Sequence, residues 1–353
     1  MNKSLILTIM LMLATISAMS QTYHEDDKEG LRVFLRQSSA EKGKINAERL
    51  GLKISDTLNW QSDEGWVTKV RDLDWNKETP RQLIEISWRS RKLAGDLNTN
   101  KWTNLKWLNC SINQLTALEL GTNTKLEVFC DDNQLNSLNI SVDTGLQRLY
   151  CDDNKLSVLN LSTNTELQYL WCQYNLLSTL EFSACTELKI LYCSNNQLNV
   201  LDFSANTKLW RLNCSDNQLN ALYFSDNSKL RELSCYNNHL SLSNLFAISE
   251  ILQKNRTDID NRCLGSQTLS AQTINLGKTL EFSAPQNVFN GIYTEFTVTK
   301  NKKQAILTKG YTLIEGKILF NKTGTYTVKM MNKAIISSEN YPAEVIIEVT
   351  VIE

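Results

Sequence analysis

One cysteine recurs through the middle of the chain at Cys110, Cys130, Cys151, Cys172, Cys193, Cys214 and Cys235, with one gap of 20 residues followed by five of 21. An asparagine follows each cysteine by three residues, from Asn113 to Asn238, and a leucine follows each asparagine by two, from Leu115 to Leu240. A fixed period of this length is the signature of a solenoid, in which each turn buries its apolar residues against the next turn. Such a fold offers an extended surface, which favours binding over catalysis.

Take Leu167 as position 1 of a unit. Leu170 and Cys172, at positions 4 and 6, then point into the core of a short strand, and positions 3, 5 and 7 point outward, because strand side chains alternate. Parallel strands from successive units build one sheet. Each asparagine sits where the chain leaves its strand, and its amide can satisfy backbone groups of that turn and its neighbours. The return side is short, a Ser-x-Asn-Thr turn with Leu or Phe inward, as at 203–207.

The first residues are Met-Asn-Lys, followed by an apolar run at 5–16 and small residues at Ala18 and Ser20. This reads as a secretory leader over 1–20, and the run is short for an uncleaved anchor. Without the leader the chain carries 36 basic and 38 acidic side chains. That balance argues against nucleic acid as a partner. Residues 105–240 hold 9 basic and 14 acidic side chains, so an anionic polymer is a poor candidate ligand for the repeats.

Nine cysteines in an exported chain suggest disulfides, but the spacing argues otherwise. Residues one turn apart stack with parallel side chains about 4.8 Å apart. Disulfides need Cβ vectors that point toward each other. A single file also fails to supply four tetrahedral zinc ligands. The seven read as small buried thiols. Cys185 and Cys263 lie outside the row.

Residues 21–82 are not repetitive. A helical spacing of Leu31, Phe34 and Leu35 marks 26–36, a second short helix is expected at 45–52, and Trp60, Trp66 and Trp75 surround an alternating stretch at 66–70. This segment is expected to cap the first repeat, since a solenoid end exposes its core; the alternative for its tryptophans is a ligand platform. Residues 83–97 form an irregular first repeat with Trp88 at the cysteine position. The pattern fades after Leu240, where 245–253 reads as an amphipathic closing helix. Short alternating runs at 279–282, 294–298, 317–320, 325–328 and 344–351 then suggest a β-sandwich of about 85 residues.

These repeats resemble the leucine-rich-repeat family over 83–245, in the cysteine-ladder variant of bacterial surface proteins, notably the internalin group. Residues 30–36 with Trp60, Trp66 and Trp75 resemble the leader segment of secreted repeat proteins from host-associated Gram-negative anaerobes. The resemblance implies an α/β-type solenoid with a parallel sheet and a short convex side, a helical N-terminal cap and an immunoglobulin-like tail. The expected domains are a leader at 1–20, a cap at 21–82, the solenoid with its closing helix at 83–262 and the sandwich at 263–353. Most such bacterial proteins are adhesins or have no established ligand, and this chain shows no Leu-Pro-x-Thr-Gly sorting signal, which speaks against cell-wall attachment.

The outward positions carry the functional signal. Position 5 reads Phe129, Tyr150, Trp171 and Tyr192 in four consecutive units. Trp107, Tyr169 and Ile190 add to it at position 3, and Tyr174 at position 8. Bulky aromatics in a row mark a contact site, or else they stack across strands and stabilise the sheet. Beside them lie Asp131, Asp132, Asp152 and Asp153, four carboxylates that could hold calcium, contact a basic partner or stand as solvated turn residues. No phosphate-binding glycine loop appears, and His24 and His239 lack partners at a catalytic spacing. The expected function is a secreted or cell-surface protein that binds a protein or glycan, with host molecules among the candidates, on its concave face, without cofactor or catalysis. The competing reading is a self-associating envelope scaffold that uses the aromatic stripe as its homotypic interface.

Overall fold

The computed structural model describes residues 23–57, 60, 64–123, 125–225, 229–282, 288–300, 303–304, 309–314 and 317–353. The expected leader at 1–20 lies outside the described residues. The chain divides into two compact units, Met1–Leu167 and Gln168–Glu353.

The first unit opens with the helix Glu25–Leu35, whose first turn places Glu25, Asp26 and Asp27 at the positive end of the helix dipole. Its buried face, Leu31, Phe34 and Leu35, meets the first repeat. There the Phe34 ring stacks on Trp88 at 5.4 Å, and Trp102 Nε1 donates to the Asp27 carbonyl at 3.2 Å. Gly30 permits this approach, because a Cβ there would lie 2.6 Å from Trp102 Nε1. The expected second helix is a single turn, Asn46–Arg49. Its fully buried Asn46 donates to the carbonyls of Phe34 at 3.2 Å and Ala94 at 2.9 Å. The alternating stretch at 66–70 forms a tight helical turn, Val67–Lys69, because consecutive residues Trp66 and Val67 both bury. Trp60 and Trp66 meet edge to face at 5.7 Å inside the unit, which leaves neither as a ligand platform.

Strand Leu73–Trp75 pairs antiparallel with Leu83–Ser87, and from there the ladder is parallel through Trp107–Asn109, Glu127–Phe129 and Arg148–Tyr150. On the return side, Ala94–Asn98, Gln114–Glu119 and Ser137–Asn139 form a second parallel sheet. The second unit repeats this plan with Tyr169–Trp171, Ile190–Tyr192, Arg211–Asn213 and Glu232–Ser234, and Val200–Phe203 pairs with Ala221–Phe224 on the return side. Within each unit equivalent positions pair, as with Leu170, Leu191 and Leu212.

The position 4 residues and the seven ladder cysteines are buried. All nine cysteines are free thiols. Burial pushes the Cys110 thiol up to about 12 and raises those of Cys130, Cys151, Cys193, Cys214 and Cys235 well above the usual range. The row is therefore a filler of small apolar volume rather than a set of nucleophiles.

The asparagines form a second ladder. Asn196 Nδ2 donates to the carbonyls of Cys172 at 3.0 Å and Cys193 at 3.2 Å, while its Oδ1 accepts from Leu177 N at 3.0 Å. One amide thus joins two turns, and Asn133 and Asn217 repeat the pattern. The return-side turns hold a matching row, in which Asn164 donates to the Ile140 carbonyl at 3.0 Å and Asn206 to that of Phe182 at 3.2 Å. Asp143 and Cys185 occupy equivalent slots of that row.

After Glu232–Ser234 the second unit adds one more parallel strand, Arg262–Cys263, reached through the helix Leu242–Lys254. Ser241 caps that helix by accepting from Asn244 N at 3.3 Å. Beyond it, Glu344–Ile352 pairs antiparallel with Gly324–Met331 and parallel with both Ser266–Thr268 and Gln272–Asn275. Glu295–Lys300 extends this sheet from the Gly324–Met331 edge. A three-stranded sheet of Thr279–Leu280, Lys317–Phe320 and Tyr311–Ile314 stands beside it, with Phe320 against Tyr326 at 4.6 Å.

Candidate functional site

The strand face opposite the leucine and cysteine core carries the aromatic rows. In the first unit Trp107 meets Phe129 at 4.5 Å, and Phe129 stacks on Tyr150 at 4.5 Å with the planes 13° apart. In the second, Trp171 stacks on Tyr192 at 5.7 Å with the planes 10° apart. Tyr169 has Lys189 Nζ 5.9 Å from its ring centre, and the Tyr192 hydroxyl accepts from Arg211 Nη1 at 3.2 Å. The six aromatics are half-buried. Since their strand neighbours Leu108, Val128, Leu149, Leu170 and Leu191 fill the core, this partial cover comes from the rows themselves. Stacking therefore stabilises the sheet, and ring surface remains open on the same face. Ile190, expected outward with them, is 8% exposed because its paired neighbours Tyr169 and Arg211 cover it.

The four aspartates separate into two kinds. Asp131 and Asp152 sit half-buried at the strand exits. Ser111 Oγ donates to Asp131, and Arg89 Nη1 lies 3.6 Å from it. Burial, with the Asp131 charge adding to it, pushes the Asp152 carboxyl up to about 6. Asp132 and Asp153 are exposed, and each takes a left-handed backbone with φ of 50°. Asparagine and aspartate tolerate that conformation, so the turn itself accounts for these two. Among the described residues no group of three or more His, Cys, Asp or Glu is placed to hold a metal ion.

The turn geometry exposes a feature that spacing alone did not. The residue before each ladder asparagine is left-handed throughout, with φ between 50° and 54°. Asp132, Asp153, Asn195, Asp216 and Asn237 suit this position, but Ile112 and Tyr174 do not. A β-branched or bulky side chain there is strained by about 1–2 kcal/mol. Ile112 is 40% exposed and Tyr174 55% exposed, so neither gains compensating burial.

The two histidines lie in no acid–base constellation. His24 is 3.8 Å from Asp26, and His239 Nδ1 contacts the Thr268 carbonyl. No helix of the described residues is long and apolar enough to cross a membrane.

No family profile matches the chain, and no curated protein matches it. Solved structures do. The functional domain of InlJ from Listeria monocytogenes, described as including a cysteine ladder, is 21% identical over 76% of this chain and 69% of that one, with a TM-score of 0.43. A leucine-rich-repeat protein of Leptospira interrogans is 22% identical over 53% of this chain and 48% of its own, with a TM-score of 0.39. An internalin-like protein of Listeria monocytogenes is 16% identical over 76% and 79%, with a TM-score of 0.41. These are what the chain is similar to; its own register, leucine core and cysteine and asparagine ladders make it a parallel-strand solenoid with a buried cysteine row.

Proposed function

We propose that this chain is an exported binding protein, secreted or held at the cell surface, whose strand face holds a protein or glycan ligand without catalysis. The observation that carries this is the pairing of half-open aromatic stacks, Trp107–Phe129–Tyr150 in one unit and Trp171–Tyr192 in the other, with strained and exposed Tyr174. Aromatic side chains offer large contact area at low entropic cost, which suits them to anchor a partner. Asp131, Asp132, Asp152 and Asp153 place negative charge beside Phe129 and Tyr150 and favour a ligand with basic or hydroxyl groups. Export is supported by the composition of residues 1–20. We read 21–82 as a cap on the solenoid, 83–262 as the binding body and 263–353 as an immunoglobulin-like sandwich that spaces or attaches it.

A screen of residues 21–353 against a glycan array and host-matrix proteins tests the reading, with Phe129, Tyr150, Trp171 and Tyr192 alanine variants run in parallel. Saturable binding that the variants lose is expected. Equal binding by folded variants removes the aromatic face as the site. No binding at micromolar protein, together with self-association that Trp171→Ala abolishes, makes the face an interface between copies of this chain.

A further inference from the structure

The second unit carries a groove of about 790 Å³ at the entry edge of its strands, lined by the cations Lys208, Arg211, Lys229 and Arg231, by Trp210, and by one carboxylate, Glu232, with two asparagines, Asn255 and Asn261. Its cations are stacked by the repeat. Lys229 lies 21 residues after Lys208, and Arg231 lies 21 after Trp210. Arg231 N donates to the Trp210 carbonyl at 2.8 Å, which sets these two residues on adjacent rungs. The repeats as a whole are acidic, yet five of their nine basic side chains fall between Lys189 and Arg231.

These cations differ in their partners. Lys208 pairs with Glu187 at 2.5 Å and Arg211 with Glu232 at 2.5 Å. Lys229 and Arg231 are exposed and have no carboxylate partner among the described residues. Like charges on one wall of a concavity repel each other and raise the local concentration of anions. Trp210, half-buried, has the Arg211 guanidinium 4.8 Å from its ring centre and gives the groove an apolar wall. The volume falls in the range of sites that hold small organic ligands and is far larger than one inorganic ion needs.

We propose that this groove binds an acidic saccharide, a sugar unit carrying a sulfate or carboxylate, with Lys229 and Arg231 on the anionic group and the Trp210 indole against the ring. The Asn261 amide, with one donor and one acceptor end, suits the hydroxyls of such a unit. The net charge of −5 over 105–240 confines the contact to this one edge and excludes a long polyanion laid along the repeats. The groove adjoins the aromatic face through Arg211, which donates to the Tyr192 hydroxyl, but its lining includes none of the stacked rings.

The test is calorimetric titration of residues 21–353 with a heparin-derived hexasaccharide, its desulfated counterpart, sodium sulfate and an acidic phosphopeptide. The hexasaccharide is expected to bind, and to weaken as salt rises from about 0.05 to 0.5 M. A Lys229→Ser, Arg231→Ser double variant should lose about tenfold or more in affinity while its melting temperature stays unchanged, since both side chains are exposed. Trp210→Ala should weaken the hexasaccharide as well, whereas Trp171→Ala should leave it unchanged, which separates this site from the aromatic face. Full affinity in the double variant, sodium sulfate that binds as tightly as the sugar, or a phosphopeptide that binds more tightly would each overturn the assignment.

Discussion

Gln267 donates to the Cys235 carbonyl at 3.0 Å, in the role that Asn196, Asn217 and Asn238 play in the turns before it. Its Nε2 also donates to the Leu264 carbonyl at 2.8 Å, and its Oε1 accepts from Leu240 N at 3.2 Å. Leu264, fully buried, stands three residues earlier in the cysteine position. The ladder thus runs one rung beyond the last cysteine.

Gln267→Ala should therefore behave as a ladder mutation and not as a linker mutation. It leaves two carbonyls and one N–H without partners in a buried position, so a loss of about 2–4 kcal/mol is expected in urea unfolding. Asn217→Ala, which frees the Cys193 and Cys214 carbonyls and Leu198 N, should lose a similar amount. A loss under about 0.5 kcal/mol at Gln267 would place that residue outside the ladder.

Tyr174→Asn should raise stability and lower binding together. Asparagine relaxes the left-handed turn at φ 53°, for a gain of about 0.5–1 kcal/mol, while the exposed ring is lost. Thermal melting read beside ligand affinity checks both. A variant that gains stability and keeps full affinity would show the strain to be without function.

The cysteines should divide into two classes. A thiol reagent applied to the native chain should label half-buried Cys263 and spare the seven ladder cysteines and buried Cys185, which become reactive only in denaturant. Mass mapping of the labelled peptides reads this directly. Rapid labelling of Cys172 or Cys193 in the native chain would contradict a closed core.

Asp143 occupies a return-side slot that Asn164 and Asn206 fill one and three turns later, and burial pushes its carboxyl up to about 7. A folded-state pKa above the unfolded one means that the neutral form favours the fold. That contribution is fully present below about pH 4 and is lost as pH rises through about 7. Asp143→Asn should match the parent at acid pH and exceed it by about 2 kcal/mol at pH 8, a figure reduced from the full shift because solvent beyond the turn screens the charge. Denaturation midpoints at pH 4, 6 and 8 give the comparison, and a pH-independent difference would rule out Asp143 as its source.

The inward and outward phase of each strand was legible from the sequence, because leucine and cysteine at a 21-residue period leave one way to fill the core. The extra rung at Gln267 was not. It has a leucine for the cysteine, a side chain one carbon longer for the asparagine, and a spacing of 29 residues from Asn238 in place of 21. The alternation at 66–70 misled because neighbouring Trp66 and Val67 both bury, which a helical turn allows and a surface strand does not. The aromatic positions were readable as a row, but their mutual cover and the strain at Tyr174 are properties of backbone geometry. The basic groove was hidden by averaging, since an acidic total over 105–240 conceals cations gathered on neighbouring rungs.

The aromatic strand face is proposed to hold a ligand. The most direct measurement is the affinity of residues 21–353 and of their Trp171→Ala variant for the first ligand found in the glycan and matrix-protein screen, with melting curves taken on both. Unimpaired folding and at least tenfold weaker binding by the variant are expected, a loss of about 1.4 kcal/mol or more. Equal affinity in a fully folded variant would contradict it and leave the stacks as sheet stabilisation alone.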